Sequence, residues 1–184
     1  MRALGLEDAC IFGASQGGMI AQTIAIENPS LVGKLALGST SSHAHPGEFP
    51  ALENWIRLAK EGDPTALYLD FGRMVYPAGM FEEIRPMLLA GAKLVTEWDM
   101  ERFVILAEST IGFDVTERLG EISCPVLLLG SEEDRVLGGE ATREIANRLR
   151  ERDNVSLHMY SGYGHAAYDL APDYKERLLQ FFES

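Results

Sequence analysis

Gly13-Ala14-Ser15-Gln16-Gly17-Gly18 stands between the apolar run Ala9 to Phe12 and the helical stretch Met19 to Glu27. A chain that passes from strand to helix within so few residues must turn sharply. The central residue then takes a strained backbone conformation, and small residues two before and two after it let the neighbouring backbones pass closely. The hydroxyl of Ser15 projects from the end of the strand at the N-terminus of a helix. Free N–H groups and the positive end of the helix dipole meet there, and Gln16 N–H can donate to a developing oxyanion. A Gly-x-Ser-x-Gly pattern alone is common by chance. A strand before it and a helix after it make the pattern specific.

Two later segments supply partners for Ser15. After the Pro-bounded apolar run Cys124-Pro125-Val126-Leu127-Leu128-Leu129-Gly130 comes Ser131-Glu132-Glu133-Asp134-Arg135, which sets carboxylates at the C-terminal end of a strand. After Val155 to Tyr160 comes Ser161-Gly162-Tyr163-Gly164-His165, which delivers an imidazole from a loop before a terminal helix. A serine hydroxyl is a weak nucleophile at its own pKa. It needs a base within hydrogen-bond reach and a third group to hold that base in the right tautomer. Asp134 competes for the third role with Glu132, Glu133 and Asp169, each of which also reads as a solvated surface charge.

With these residues in place, the sequence resembles the α/β-hydrolase superfamily, specifically its small lid-bearing esterase, lactonase and cofactor-free haloperoxidase-like members. The resemblance rests on GASQGGMIAQTIAIENPSLVGKLALGSTSS, CPVLLLGSEEDRVLGGEATREIANRL and YSGYGHAAYDLAPDYKERLLQFF, and on the chain order Ser15, Asp134, His165. It implies Ser15 as nucleophile, His165 as general base and then acid, and Asp134, placed before Arg135-Val136, as the residue that orients the imidazole. It implies no cofactor and no metal, and it does not fix a substrate.

The alternation of short β-like runs with helical patterns points independently to an α/β fold with a mainly parallel sheet and flanking helices. The runs are Ala9 to Phe12, Lys34 to Leu37, Val126 to Leu129 and Val155 to Tyr160; Gly139 to Arg150 and Asp173 to Phe182 read as amphipathic helices. Between Ser42 and Asp114 the strands give way to helical stretches at Asn54 to Lys60, Thr65 to Val75, Phe81 to Ala92 and Thr96 to Ser109. Residues 1–42 and 114–184 are therefore expected to form the hydrolase core, and residues 43–113 a helical lid inserted over Ser15. The lid is rich in aromatic residues and Met, which suggests an apolar group in the substrate. Trp55, Met74 and Phe103 are the candidates to contact it, with plain helix packing the alternative for each. His43 and His45 read as solvated loop histidines.

Composition narrows the function classes. The 184 residues suit one domain with a sizeable core, and 46% apolar with 24% charged residues reads as soluble and globular. A net charge of −12 without a basic run disfavours nucleic acid and anionic membrane as partners. Cys10 and Cys124 both fall in expected buried strands and read as core thiols. No metal-ligand spacing, apolar run of membrane-spanning length or secretory signal is recognisable, so a cytoplasmic location is expected.

Only Met1 to Asp8 precede the expected elbow strand, whereas the family places further strands, and the loop that donates a second oxyanion N–H, before it. The run Ala9 to Phe12 should therefore lie at an apolar sheet edge, open to pairing with another chain. Self-association as a homodimer, or a missing preceding segment of a larger hydrolase, are the two expectations for covering it. The leading functional expectation is hydrolysis of a small carboxylic ester, thioester or lactone through an acyl-enzyme on Ser15. The alternative is a weakly active fragment whose main property is association through that edge. A phosphate-loop reading of Gly13 to Gly18 is disfavoured, because neither Gly-x-Gly-x-x-Gly nor a Gly-Lys-Ser/Thr ending is present.

Overall fold

The structure is a computed structural model and describes Met1 and residues 3–184. In chain order the elements are β1 (Ala9–Ala14), α1 (Gln16–Glu27), β2 (Val32–Gly38), α2 (Pro50–Lys60), α3 (Pro64–Val75), α4 (Phe81–Ala92), α5 (Glu97–Glu108), β3 (Val126–Ser131), α6 (Ala141–Arg148), β4 (Val155–Tyr160), α7 (Ala167–Leu170) and α8 (Tyr174–Glu183). The four strands form one sheet in the order β1-β2-β3-β4, with every pairing parallel. Parallel neighbours need crossover connections, which here are α1, the long helical segment between β2 and β3, and α6.

Period-two alternation along the strands divides the core in two. Leu35 and Leu37 of β2, with Val126 and Leu128 of β3, face α1 and α6, where Ala21, Ile26, Ile145 and Leu149 complete one cluster. Ala36, Leu127 and Leu129 point to the other face and meet Tyr160, Ala171 and Tyr174. A third cluster unites α2, α3 and α5 through Trp55, Leu58, Leu67, Val75 and Met100, and includes Met19 of α1, Val136, Leu137 and Ala166. The helices between β2 and β3 thus pack against the end of the sheet that carries Ser15, Asp134 and His165.

The incoming and outgoing chains of this helical segment run side by side. His43 and Asp114 form an antiparallel bridge; Ala44 N–H donates to Phe113 O at 2.8 Å and Val115 N–H to Ser42 O at 2.9 Å.

The structure corrects the sequence expectation at the cysteines. Cys124 is buried but lies just before β3. Cys10 is exposed, because β1 has β2 on one side only and packs less of its surface than an interior strand. Phe12, on the same strand, is 40% exposed. β1 also continues two residues beyond the expected end, through Gly13 and Ala14, whose register partners are Leu37 and Gly38.

Candidate active site

Ser15 sits between β1 and α1 with φ 53° and ψ −124°. A non-glycine residue in that region stores strain and persists only where its surroundings over-determine it. They do so here: Ser15 N–H donates to Gly38 O at 2.9 Å, while Ser15 O accepts from Thr40 Oγ1 at 2.7 Å and from Gly18 N–H at 2.9 Å. Close approach explains two of the glycines. A Cβ on Gly13 would lie 2.3 Å from Gly17 O, and one on Gly18 would lie 2.6 Å from the Thr40 side chain, whereas one on Gly17 would meet nothing within 4 Å. The tight position after the serine is therefore Gly18; Gly17 contributes its backbone to the contact with Gly13.

Gln16 opens α1, so its N–H is among the donors that a helix leaves without an intrahelical acceptor. Its side chain is held away from Ser15: Nε2 donates to Leu106 O at 2.7 Å and to Thr110 Oγ1 at 2.9 Å, which ties the elbow to the end of α5.

Asp134 lies in the loop after β3, and His165 in a short 3-10 turn after β4. The two meet at Nδ1–Oδ2 2.8 Å, with both side chains 4% exposed. The other Asp134 oxygen, Oδ1, accepts from Val136 N–H at 2.8 Å and Leu137 N–H at 3.0 Å. These two donors fix the carboxylate plane and leave Oδ2 for the imidazole. Because a carboxylate only accepts, Nδ1 carries the proton and the Nε2 lone pair remains free to take one. Among the competing carboxylates, Glu133 Oε2 accepts from Gly162 N–H at 2.7 Å, which braces the histidine loop, and Glu132 pairs with Arg143. Tyr168 packs edge-on to the imidazole at 6.2 Å between ring centroids. Burial, reinforced by Asp169, Tyr76 and Asp134, pushes its hydroxyl up to about 12.

Asp134 and His165 are thus brought together. Ser15 makes no hydrogen bond to His165 among the described residues, and nucleophile–base contacts commonly tighten only in the Michaelis complex.

Ser15 opens into a cavity of about 200 Å³ whose lining includes Gln16, Trp55, Phe103, Thr110 and Leu137. Of the three side chains expected to contact substrate, Trp55 and Phe103 line it. Met74 is not among the lining residues and packs, partly buried, against the cluster of α2, α3 and α5. Trp55 is held by a hydrogen bond from Nε1 to Asp70 Oδ2 at 3.0 Å and by Phe71 at 4.9 Å between centroids. A larger hollow of about 700 Å³ lies near Lys60, Val95, Met100 and Glu101, but its lining includes none of Ser15, Asp134 and His165. Sequence reasoning passed over Thr40, Thr110 and Asp70. Each acts through a contact distant in the chain or between helices, and none belongs to a local motif.

The chain is similar to known proteins in sequence and in fold. The family model described as "Serine aminopeptidase, S33" matches residues 4–169. The chain is 28% identical over 182 residues to "Putative carbamate hydrolase RutD" of Agrobacterium fabrum, covering 97% of this chain and 69% of that protein. It is 30% identical over 191 residues to 2-hydroxy-6-oxononadienedioate/2-hydroxy-6-oxononatrienedioate hydrolase 1 of Dechloromonas aromatica, covering 97% of this chain and 63% of that one. The solved enol-lactonase from Burkholderia xenovorans LB400 shares the fold with a TM-score of 0.84 at 17% identity, over 100% of this chain and 69% of the other. With a family model that matches residues 4–169 and a fold shared with solved structures, the chain belongs to the serine aminopeptidase S33 family of α/β-hydrolases.

Proposed function

We propose that the chain is a serine hydrolase that cleaves a small carboxylic ester, thioester or lactone through an acyl-enzyme on Ser15. The buried His165–Asp134 pair at 2.8 Å, on the same end of the sheet as the strained Ser15 turn, carries this reading. In the proposed cycle His165 Nε2 takes the Ser15 proton as Oγ attacks the carbonyl carbon, then returns it to the leaving oxygen or sulfur. Gln16 N–H donates to the oxyanion. Water, activated by the same imidazole, clears the acyl group. The apolar cavity of about 200 Å³ beside Ser15 suits a small apolar acyl or alcohol portion, and the net charge of −12 disfavours an anionic one. The carbamates and enol-lactones in the names of its relatives are likewise acyl compounds open to attack at a carbonyl carbon.

Intact-mass measurement after treatment with a fluorophosphonate probe tests the assignment. One probe per chain is expected, with none on Ser15→Ala; labelling that survives this substitution, or no labelling of a folded sample, would sink it. An ester and lactone panel then ranks substrates.

No described helix is long and apolar enough to cross a membrane, and both thiols are free, which supports a reducing compartment such as the cytoplasm. The single-sided pairing of β1, with Cys10 and Phe12 exposed, favours a second property, self-association through that edge. Light scattering across a concentration series checks it, and a monomer at every concentration would count against it.

A further inference from the structure

The stem of the helical segment carries a group of metal-ligating side chains that the proposed hydrolysis does not use. His43, His45 and Glu48 each offer one ligand atom, and these atoms all lie within 4.8 Å of one another. We propose that the three residues form a binding site for a divalent transition-metal ion of the zinc type, placed where the chain passes into and out of the helices between β2 and β3.

The backbone organises the group. His43 and His45 flank the fully buried Ala44 in an extended stretch, so both imidazoles project from the side opposite the buried methyl group. The rings stack at 5.0 Å between centroids. The chain then reverses through His45-Pro46-Gly47-Glu48, with Glu48 N–H donating to His45 O at 3.1 Å and Gly47 at φ +83°. Proline followed by a glycine of positive φ is the signature of a type II turn. The reversal carries the Glu48 carboxylate back over the imidazoles. Its Oε2 accepts from His45 N–H at 2.8 Å, and its Oε1 faces His43 Nε2 at 2.8 Å. A second carboxylate pins the turn, with Gly47 N–H donating to Glu53 Oε1 at 2.6 Å.

The donor set selects the ion. Two imidazoles and one carboxylate suit Zn²⁺ and its neighbours, whereas Ca²⁺ and Mg²⁺ require oxygen ligands throughout. Ligands at about 2.0 to 2.1 Å around a tetrahedral ion stand about 3.3 Å apart, so side-chain rotations alone close the group. His43 Nε2 carries the proton it donates to Glu48; metal binding would displace that proton, and Nδ1, 3.4 Å from both Ser42 Oγ and Thr116 Oγ1, could carry the ring proton toward hydroxyls that accept it. Two further carboxylates stand close by. Asp114 Oδ2 is 3.8 Å from His45 Nε2, and Glu144 Oε2 is 4.0 Å from His43 Nε2. Asp114 belongs to the outgoing chain, so an ion that also took its carboxylate as a fourth ligand would tie the two ends of the stem together.

Calorimetric titration of the full chain with Zn²⁺ is the test, run beside thermal unfolding with and without the metal. One ion per chain is expected, with an unfolding midpoint that rises with metal concentration. His45→Ala and Glu48→Gln, both at exposed positions, should keep the metal-free midpoint and weaken binding at least as much as the about 10- to 100-fold typical of lost outer-shell partners. Cys10→Ala should bind as the wild type does. Absence of binding at millimolar Zn²⁺ overturns the proposal. So does binding that survives His45→Ala and Glu48→Gln but disappears in Cys10→Ala, because the exposed thiol would then be the ligand.

Discussion

β1 and β3 are both six residues long, lie in one parallel sheet and each lead directly into a loop or turn of the candidate site, yet they are differently packed. β3 is buried at every position, while β1 alternates between partly buried and exposed until Gly13. Asp134 therefore hangs from an interior strand whose two neighbours fix its direction. Ser15 hangs from a strand with one neighbour and is held by Gly38 O, the Thr40 side chain and contact between glycine backbones. The His165–Asp134 half of the candidate site is enclosed, with both carboxylate oxygens of Asp134 partnered; the Ser15 half is tensed and open on one side. A site of this kind draws its precision from two different sources, burial on one side and backbone crowding on the other.

The largest effect should come from the enclosed half. Asp134→Asn keeps the shape but can donate its amide proton to the imidazole, which reverses the tautomer and leaves Nε2 without its lone pair. A fall in kcat of about 10⁴-fold on the best substrate of the panel is expected, with little change in KM. A loss under tenfold would show that Asp134 does not orient the base.

Next comes a direct contrast between the strands. Leu128 of β3 is fully buried, so Leu128→Ala should lower stability by about 2 to 5 kcal/mol. Phe12 of β1 is 40% exposed and touches Tyr174 edge-on at 6.0 Å, so Phe12→Ala should cost only about 1 kcal/mol. Urea unfolding of both variants measures the gap. Equal losses would mean that β1 is as well buried in solution as β3, and the comparison between the strands would fail.

The same division separates what could be read in the sequence from what could not. The elbow, the carboxylate loop and the histidine loop were legible because each is a local signal, a strand end followed by a turn of recognisable composition. The helices of the segment between β2 and β3 were legible from apolar periodicity; Phe81 to Ala92 falls at the observed ends. The edge position of β1 was legible, but Cys10 was still misread as a core thiol, because an apolar run does not show how much of each face of an edge strand is covered. That cover depends on elements distant in the chain. Thr40 and Thr110 stayed hidden for a related reason, since the contact from Gln16 to Thr110 spans 94 residues. His43 and His45 read in the sequence as solvated loop histidines; only the turn that brings Glu48 back sets a carboxylate beside the pair.

High pH should test the enclosed half by another route. Burial pushes the hydroxyls of Tyr168 and Tyr160 up to about 12, with Asp169 adding to the first and Asp173 to the second. An unfolded tyrosine titrates near 10. Below pH 10 both states hold their protons and the full contribution to stability is present. Between about pH 10 and 12 the unfolded chain ionises while the folded one does not, so stability should fall across that window. Urea midpoints at rising pH follow the loss. Tyr168→Phe should flatten the slope; an unchanged slope would remove Tyr168 as a cause.

The smallest effect in energy is the most direct probe of the open half. Cys10 lies exposed on the free edge of β1, while Cys124 is buried and its thiol is pushed up by desolvation, which disfavours the reactive thiolate. A thiol reagent should therefore modify one cysteine quickly and the second only on unfolding. If chains pair through β1, the fast phase should slow as protein concentration rises, because a strand laid along the edge covers the Cys10 side chain. A fast phase independent of concentration would leave β1 unpaired, and Ser15 would then depend on its single strand neighbour and its own crowded turn. Two fast thiols would go further and show that the enclosure assigned to the start of β3 does not hold.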